Sequence, residues 1–255
     1  MAEIGGWRGS GVAVVTGAGR GIGAAVSKLA GVHGYTVLVN YARDERAAHE
    51  VVEFIEAHGG KASAFQADVS EENEVLRLFA AADRLGPLSA LVNNAGITGG
   101  FSRVEDLEVG VLQVVFATNV VGPFMCAKQA VKRMSTAHGG SGGVIVNVSS
   151  RIAELGGGSE WVHYAASKGA LNTLTVGLAR EVADVGIRVN AVAAGLIETE
   201  LHAAAGEPGR PARMASAIPM KRPGSPEEVA EAVLWLISPL SGYITGAILP
   251  VSGGR

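Results

Sequence analysis

Short β-branched or aliphatic runs alternate along the chain with longer stretches whose apolar positions recur every three or four residues. Residues 12–16 form the first run, and residues 24–33 behind it have helical periodicity. Residues 35–41 predict a second strand and residues 44–58 a helix with Val51, Val52 and Ile55 on one face. Residues 62–67 predict a third strand, followed by a helix over 71–84 with Ser70 as its cap, ended by Gly86-Pro87. A fourth strand is expected at 88–92. The pattern over 104–136 is helical, with an interruption at Gly122-Pro123, where proline removes a backbone donor. A glycine-rich turn at 139–143 leads into a fifth strand at 144–148, and a helix carrying Tyr164 and Lys168 runs to about residue 184. A sixth strand is expected at 187–192. Residues 196–218 have few core signals and predict a mobile flap. A helix over 226–238, capped by Ser225 with proline in its first turn, precedes a last strand at 247–251.

This alternation, without internal repeat or linker, predicts one α/β domain over residues 1–255. Its parallel sheet has about seven strands, doubly wound in the Rossmann-like manner with helices on both faces. Residues 1–10 are a tail. In such sheets ligands bind at the carboxyl ends of the strands. The turn at 17–23, Asp68, Asn93, Ser150 and the loop at Gly195 all fall there.

Composition narrows the function classes. Of the 255 residues 48% are hydrophobic, enough for a sizeable core, and the net charge of −3 with mixed signs leaves no basic stripe for nucleic acid. The single cysteine, Cys126, cannot form an internal disulfide and lies in an apolar segment. The start, Met1 to Arg8, lacks the basic region and apolar core of a secretory signal. No apolar run reaches membrane-spanning length. A cytoplasmic protein without nucleic-acid, membrane or metal partners is expected.

The candidate chemistry begins with Gly17-Ala18-Gly19-Arg20-Gly21-Ile22-Gly23, set between a strand and a helix. Glycines let the backbone approach a pyrophosphate, and the free N–H groups of the helix start favour negative charge. At the end of the second strand, Asn40-Tyr41-Ala42-Arg43 offers no carboxylate for a ribose 2′-hydroxyl. Arg20 and Arg43 can pair bidentately with a 2′-phosphate or be ordinary solvated arginines; NADP is favoured, with Asp44 near enough to keep NAD as the runner-up. Asp68 serves either the capping region of the third helix or an adenine amino group. Asn93 and Asn94 at a strand end can satisfy backbone groups or face a ligand, and Asn94 is read as backbone support. Asn119 lies just before the helix interruption. Tyr164 and Lys168, four apart, share a helix face; a cation beside a phenol lowers its pKa. Ser149 and Ser150 close the fifth strand pointing to opposite faces, so one of them meets this pair. His163 points away from Tyr164 and is read as structural. Ala166, Ala170, Thr173 and Gly177 form a small-residue stripe suited to a subunit interface or a sheet contact.

Together these motifs resemble the short-chain dehydrogenase/reductase family over nearly the whole chain, most closely its 3-oxoacyl thioester reductase and glucose dehydrogenase members. Thr16 to Gly23 is similar to its cofactor turn, Asp68 to its adenine contact, and Asn93-Asn94-Ala95-Gly96 to its sheet motif. Asn119, Ser150, Tyr164 and Lys168 are similar to its catalytic tetrad. The resemblance implies an NADP(H)-dependent oxidoreductase interconverting a carbonyl and a secondary alcohol, with Tyr164 as acid/base, Ser150 orienting the oxygen, and Lys168 tuning Tyr164 and holding the nicotinamide ribose. Asn119 would hold a water linking Lys168 to solvent. It implies cofactor contacts at Gly17, Arg20, Gly21, Ile22, Gly23, Asn40, Tyr41, Arg43, Asp68, Val69, Asn93, Ala95, Gly96, Tyr164, Lys168, Gly195, Ile197 and Thr199. A tetramer is implied as well. The substrate is a small carbonyl or alcohol compound: a 3-oxoacyl thioester, a sugar or another ketone. A cofactor-binding sensor that does no chemistry is the alternative. One departure is Ala194-Gly195 where the family commonly has Pro-Gly, which is expected to loosen the loop that follows.

Overall fold

The β-branched runs expected as strands form a sheet whose central strands are covered on both faces. The computed structural model describes residues 7–255, the side chain of residue 202 excepted; the expectations about residues 1–6 of the tail lie outside the described residues. In chain order the first half is β1 (Val12–Val15), α1 (Gly21–Val32), β2 (Thr36–Tyr41), α2 (Glu45–Ala57), β3 (Lys61–Gln66), α3 (Glu72–Leu85) and β4 (Leu88–Asn93). The second half is α4 (Val109–Phe116), α5 (Gly122–Met134), β5 (Gly143–Ser150), α6 (Ile152–Leu155), α7 (Val162–Val182), β6 (Ile187–Ala194), α8 (Leu201–Ala204), α9 (Arg210–Met214), α10 (Pro226–Ile237) and β7 (Ile248–Val251). The seven strands pair in parallel in the order β3-β2-β1-β4-β5-β6-β7. After β3 the chain crosses back over β2 and β1 to lay down β4. The strand order reverses between β1 and β4, which opens a crevice at their carboxyl ends.

Both faces of the sheet are core, which explains why the strands read as unbroken apolar runs rather than alternating ones. Ala13 and Val15 pack with α1, α2 and α10 on one side. Their neighbours Val12 and Val14 pack with α3, α5 and the end of α7 on the other. What remains of the tail is tied down too: Trp7 stacks on His33 at 5.6 Å and Gly9 N–H donates to the His33 carbonyl at 2.8 Å.

Local signals set the helix ends, with instructive departures. Asp44 accepts from Ala47 N–H at 3.0 Å, and Ser225 with Glu228 forms the reciprocal capping box that Pro226 in the first turn suits. Ser70, expected to cap α3, instead turns back: its N–H and hydroxyl both donate to Asp68 Oδ1, at 2.9 and 2.7 Å. The hydroxyl is thereby turned back toward Asp68, and α3 begins at Glu72 with Glu71 at its N-cap and no side-chain cap bond.

The helical pattern over 104–136 resolves into a single 3₁₀ turn at Val104–Asp106, α4, a π-turn over Ala117–Val121, and α5. The break precedes proline for a covalent reason. Pro123 lies four residues after Asn119 and has no N–H to meet that carbonyl, so the helix widens there instead. The continuous run Val109–Met134 contains an 18-residue window with a mean hydropathy of 1.7, long and apolar enough to cross a membrane by length and composition. That corrects the expectation that no segment is. It packs instead against α3, β4, β5 and α7. Its outward Val109, Val114, Val121 and Phe124 are exposed.

β6 also runs two residues beyond expectation, through Ala194, which pairs with Ser150 on one side and Val251 on the other. The Ala194 carbonyl accepts from Arg151 N–H at 2.9 Å. Strand pairing therefore holds Ala194 itself in register, and the loop expected to loosen begins after it. Nor is the segment 196–218 without core: Leu196, Ile197, Ala205, Arg210 and Ile218 are buried.

Candidate active site

The glycine turn is held from behind by side chains that serve only the backbone. Thr16 Oγ1 accepts from Asn94 N–H and Ala95 N–H, each at 3.0 Å, and the Asn94 amide donates to the carbonyls of Thr16 and Gly17 at 2.9 Å. Asn40 Oδ1 accepts from Gly17 N–H at 3.2 Å while its Nδ2 donates to Ala67 O at 2.9 Å. Asn94 thus does backbone work, as expected. Asn40, expected at the cofactor, is buried behind the turn and acts on it indirectly. Gly17 and Gly21 take φ of +60° and +53°, a region L side chains rarely enter.

Above that support α1 begins without a side-chain cap, so its first N–H groups are free to receive an anion. Ile22 packs down on the core, and Gly23 is buried against Asn94 and Gly17. The flap reaches over the turn. A Cβ on Gly21 would stand 3.4 Å from the Thr199 methyl, and Arg20 pairs with Glu200 at 3.6 Å. Tyr41 is buried at the end of β2, with Arg43 exposed beyond it. Asp68 receives Ser70 and Val69 is buried with its carbonyl beside Gly122. Asn93 is also buried, and donates to Asn147 Oδ1 at 2.9 Å; Asn147 in turn donates to Thr175. Gly195 N–H donates to Val251 O at 2.9 Å, and Ile197 bridges to Gly224. The turn, the end of β4 and the start of the flap thus surround one cradle at the topological switch point.

The four residues of the proposed chemistry meet beside it. Ser149 turns inward onto Asn172 and the Lys168 carbonyl. Ser150, the last residue of β5, is left on the crevice side; its hydroxyl donates to the Ala194 carbonyl at 3.4 Å and accepts from Ile152 N–H at 3.3 Å. Tyr164 stands in the first turn of α7 with Lys168 one turn on, both buried. Lys168 Nζ donates to the Val148 carbonyl at 2.8 Å and lies 5.8 Å from the centre of the Tyr164 ring. Asn119, in the π-turn, clamps Ile97 with both ends of its amide: Oδ1 accepts from Ile97 N–H at 2.9 Å and Nδ2 donates to Ile97 O at 2.8 Å. Its Nδ2 also reaches Ser167 Oγ at 3.0 Å. Gly96 closes the group. A Cβ there would stand 3.3 Å from Asn119 Oδ1 and 3.4 Å from Lys168 Nζ, so hydrogen alone leaves both undisturbed.

Burial governs the proton affinities. It pushes the Tyr164 phenol up to about 12, with the Ser150 hydrogen bond pulling the other way. It lowers the Lys168 ammonium to about 8. The expectation that Lys168 lowers the phenol is corrected here: its ammonium is turned to Val148 O, and desolvation dominates. The pocket holds Tyr164 protonated and Lys168 close to neutral pH.

On the substrate side His163 is structural, as expected: its Nε2 meets Thr98 O at 2.8 Å and is buried. Arg210 is different. Its side chain is only 5% exposed. It pairs with Glu160 and Glu207 and lies over the rings of Trp161 and Phe101. Glu207 is a local partner, three residues before it, but Glu160 is 50 residues away in sequence and the two rings are also remote, so no local pattern marks its burial.

Comparison with known proteins agrees with this geometry. The family profile described as Enoyl-(Acyl carrier protein) reductase matches residues 17–255. The chain is 52% identical to the oxidoreductase YgfF of Escherichia coli over 96% of this chain and 99% of the relative. It is 38% identical to glucose 1-dehydrogenase 2 of Bacillus subtilis, over 95% and 93%. A solved double-substitution variant of a Serratia marcescens short-chain dehydrogenase/reductase superposes with a TM-score of 0.88 at 34% identity, covering 96% of this chain and 97% of that one.

Proposed function

The chain belongs to the short-chain dehydrogenase/reductase family, and from that premise we propose that it is an NADP(H)-dependent enzyme interconverting a small carbonyl compound and its secondary alcohol. The observation that carries the reading is the meeting of Ser150, Tyr164, Lys168 and Asn119 beside the uncapped start of α1. Within the family a nicotinamide cofactor supplies or accepts the hydride, and the cradle fits one. Gly17 and Gly21 turn where side chains could not follow, and the free N–H groups of α1 suit a pyrophosphate. Arg20 and Arg43 would meet a 2′-phosphate, Asp68 and Val69 would line the adenine, and Ile197 and Thr199 would meet the nicotinamide end.

The chain's own residues handle the proton. Tyr164, held protonated by burial, donates to the carbonyl oxygen as negative charge develops there; Ser150 orients that same oxygen. Donors aimed at developing charge are worth most in a water-excluded pocket. Lys168, loosened by burial, can return the proton through Asn119, whose carbonyl has lost its usual helical partner at Pro123. In the oxidative direction the same groups work in reverse.

Subunits would associate through two exposed faces as a cytoplasmic tetramer. One is the apolar row Val109, Val114, Val121 and Phe124. The other is the small-residue stripe of α7, whose Ala166, Thr173 and Gly177 are exposed and so do not touch the sheet. The deciding experiment measures NADPH and NADH oxidation across a panel of 3-oxoacyl thioesters, sugars and simple ketones. NADPH-dependent turnover of a ketone is expected. Tight cofactor binding with no turnover of any compound would leave a binding protein instead, and a clear preference for NADH would remove the roles given to Arg20 and Arg43.

A further inference from the structure

Three loops leave the carboxyl ends of β4, β5 and β6 around Tyr164, and one guanidinium touches all three. From the loop after β4, Phe101 presents its ring 5.4 Å from the Arg210 guanidinium carbon. From the loop after β5, Glu160 pairs with Arg210 Nη2, and the Trp161 ring centre lies 4.4 Å away. From the flap itself, Glu207 pairs with Nη1 at 3.0 Å. Phe101 and Trp161 also stack on each other at 4.7 Å, and Ser102 N–H donates to the Glu160 carbonyl at 3.0 Å. Burial works against charge on Arg210, but Glu160 and Glu207 outweigh it and raise its pKa.

Trp161 then meets the reacting centre. Its ring stands edge-on to Tyr164 at 6.1 Å, and the two form an apolar cluster with Ala205 of the flap and Ile152. Only arginine combines these demands: a planar face for two rings and a forked edge for two carboxylates. Lysine offers a point charge on a flexible stem and meets one partner at a time.

We propose that Arg210 is a positioning residue for the substrate side of the site, locking the three loops together so that Trp161 is held as the wall beside Tyr164. It deepens the dehydrogenase reading and rests on that reading only for its kinetic consequence. The cofactor side, built on the glycine turn, Asn94 and Asn40, makes no contact with this pin.

The test replaces Arg210 by Met, which keeps the length and loses the charge, in a background where Trp7→Phe and Trp235→Phe leave Trp161 as the sole indole. Acrylamide quenching of Trp161, shielded in the parent, is expected to rise severalfold. Cofactor affinity, read by nicotinamide fluorescence, is expected to stay unchanged. KM for the carbonyl substrate rises about tenfold, the equivalent of ~1.4 kcal/mol, while kcat moves less. Should Arg210→Met fail to fold, Glu160→Gln gives the same readouts in the same direction, because Glu160 is partly exposed. Arg210→Lys is not expected to restore shielding. Unchanged quenching in the folded variants overturns the pin, and weakened cofactor binding with an unaltered KM overturns its assignment to the substrate side. If the parent reduces no carbonyl compound the dehydrogenase reading fails, and the quenching comparison still decides whether Arg210 holds Trp161.

Discussion

The flap is held at two points by an arginine, and the two contacts are built differently. Near its start Glu200 meets Arg20 of the glycine turn at 3.6 Å, with both side chains more than 60% exposed. At its middle Arg210 is 5% exposed between two carboxylates and two rings. An exposed pair of the first kind contributes under about 1 kcal/mol and is screened by salt. Breaking a buried pair costs about 3–5 kcal/mol, reduced here because Glu160 is 40% exposed. The contrast divides the site. Under the proposed reading, the flap rests on the cofactor side on an exposed contact that an arriving phosphate would replace, and on the substrate side it is fastened.

The largest effect that would separate the sides is at the reacting oxygen between them. Tyr164→Phe should lose about 10²–10⁴-fold in turnover while keeping cofactor affinity, read by stopped-flow and fluorescence titration. Loss of both together would mean that the sides are not independent. Lys168→Met probes the same boundary through pH. The Lys168 pKa falls from 10.5 to about 8 on folding, so the unfolded chain binds more protons between these values and Lys168 adds stability as pH rises through that window. The stability of Lys168→Met relative to the parent should therefore decline from pH 7.5 to 10.5, over a span of roughly 3 kcal/mol. A flat difference in denaturant midpoints would show that Lys168 is not desolvated.

On the cofactor side alone, Arg20→Gln should weaken NADPH about tenfold, the worth of one hydrogen bond to a charged group, and leave NADH and the carbonyl KM unchanged. The smallest effect is expected from Glu200→Gln. Releasing Arg20 from its exposed partner should tighten NADPH only about two- to threefold, with the gain shrinking as salt is raised. A gain for NADH of the same size would mean that Glu200 acts on the flap rather than on the phosphate.

The same division marks what the sequence made legible. Strand positions, the glycine turn and the backbone work of Asn94 depend on neighbours or on a covalent peculiarity of glycine, and pattern alone finds them. The four-residue spacing of Tyr164 and Lys168 correctly puts both on one face. It says nothing of where the ammonium ends, and the Val148 carbonyl across the sheet edge claims it. Ser70 misleads because Asp68, two residues before it, competes for its hydroxyl. The extension of β6 to Ala194 is missed because two strands, neither adjacent in sequence, hold it in register. The burial of Arg210 shows the strongest version of that reason: beyond Glu207, the groups that enclose it, Glu160, Trp161 and Phe101, come from distant loops.

The π-turn at Ala117–Val121 amounts to one extra residue in an otherwise continuous helix. An α-helix advances about 100° per residue, so the insertion puts α4 and α5 out of phase by that amount. One cylinder thereby serves two directions, with α5 turning Cys126, Ala130 and Met134 to the sheet while Asn119 at the step faces Ile97. Deleting a single residue there would straighten the rod and rotate one half against the other. The step thus acts as a phase shifter: the orientation of the Asn119 amide and the seating of a core helix are set by the same added residue, and neither can be retuned alone.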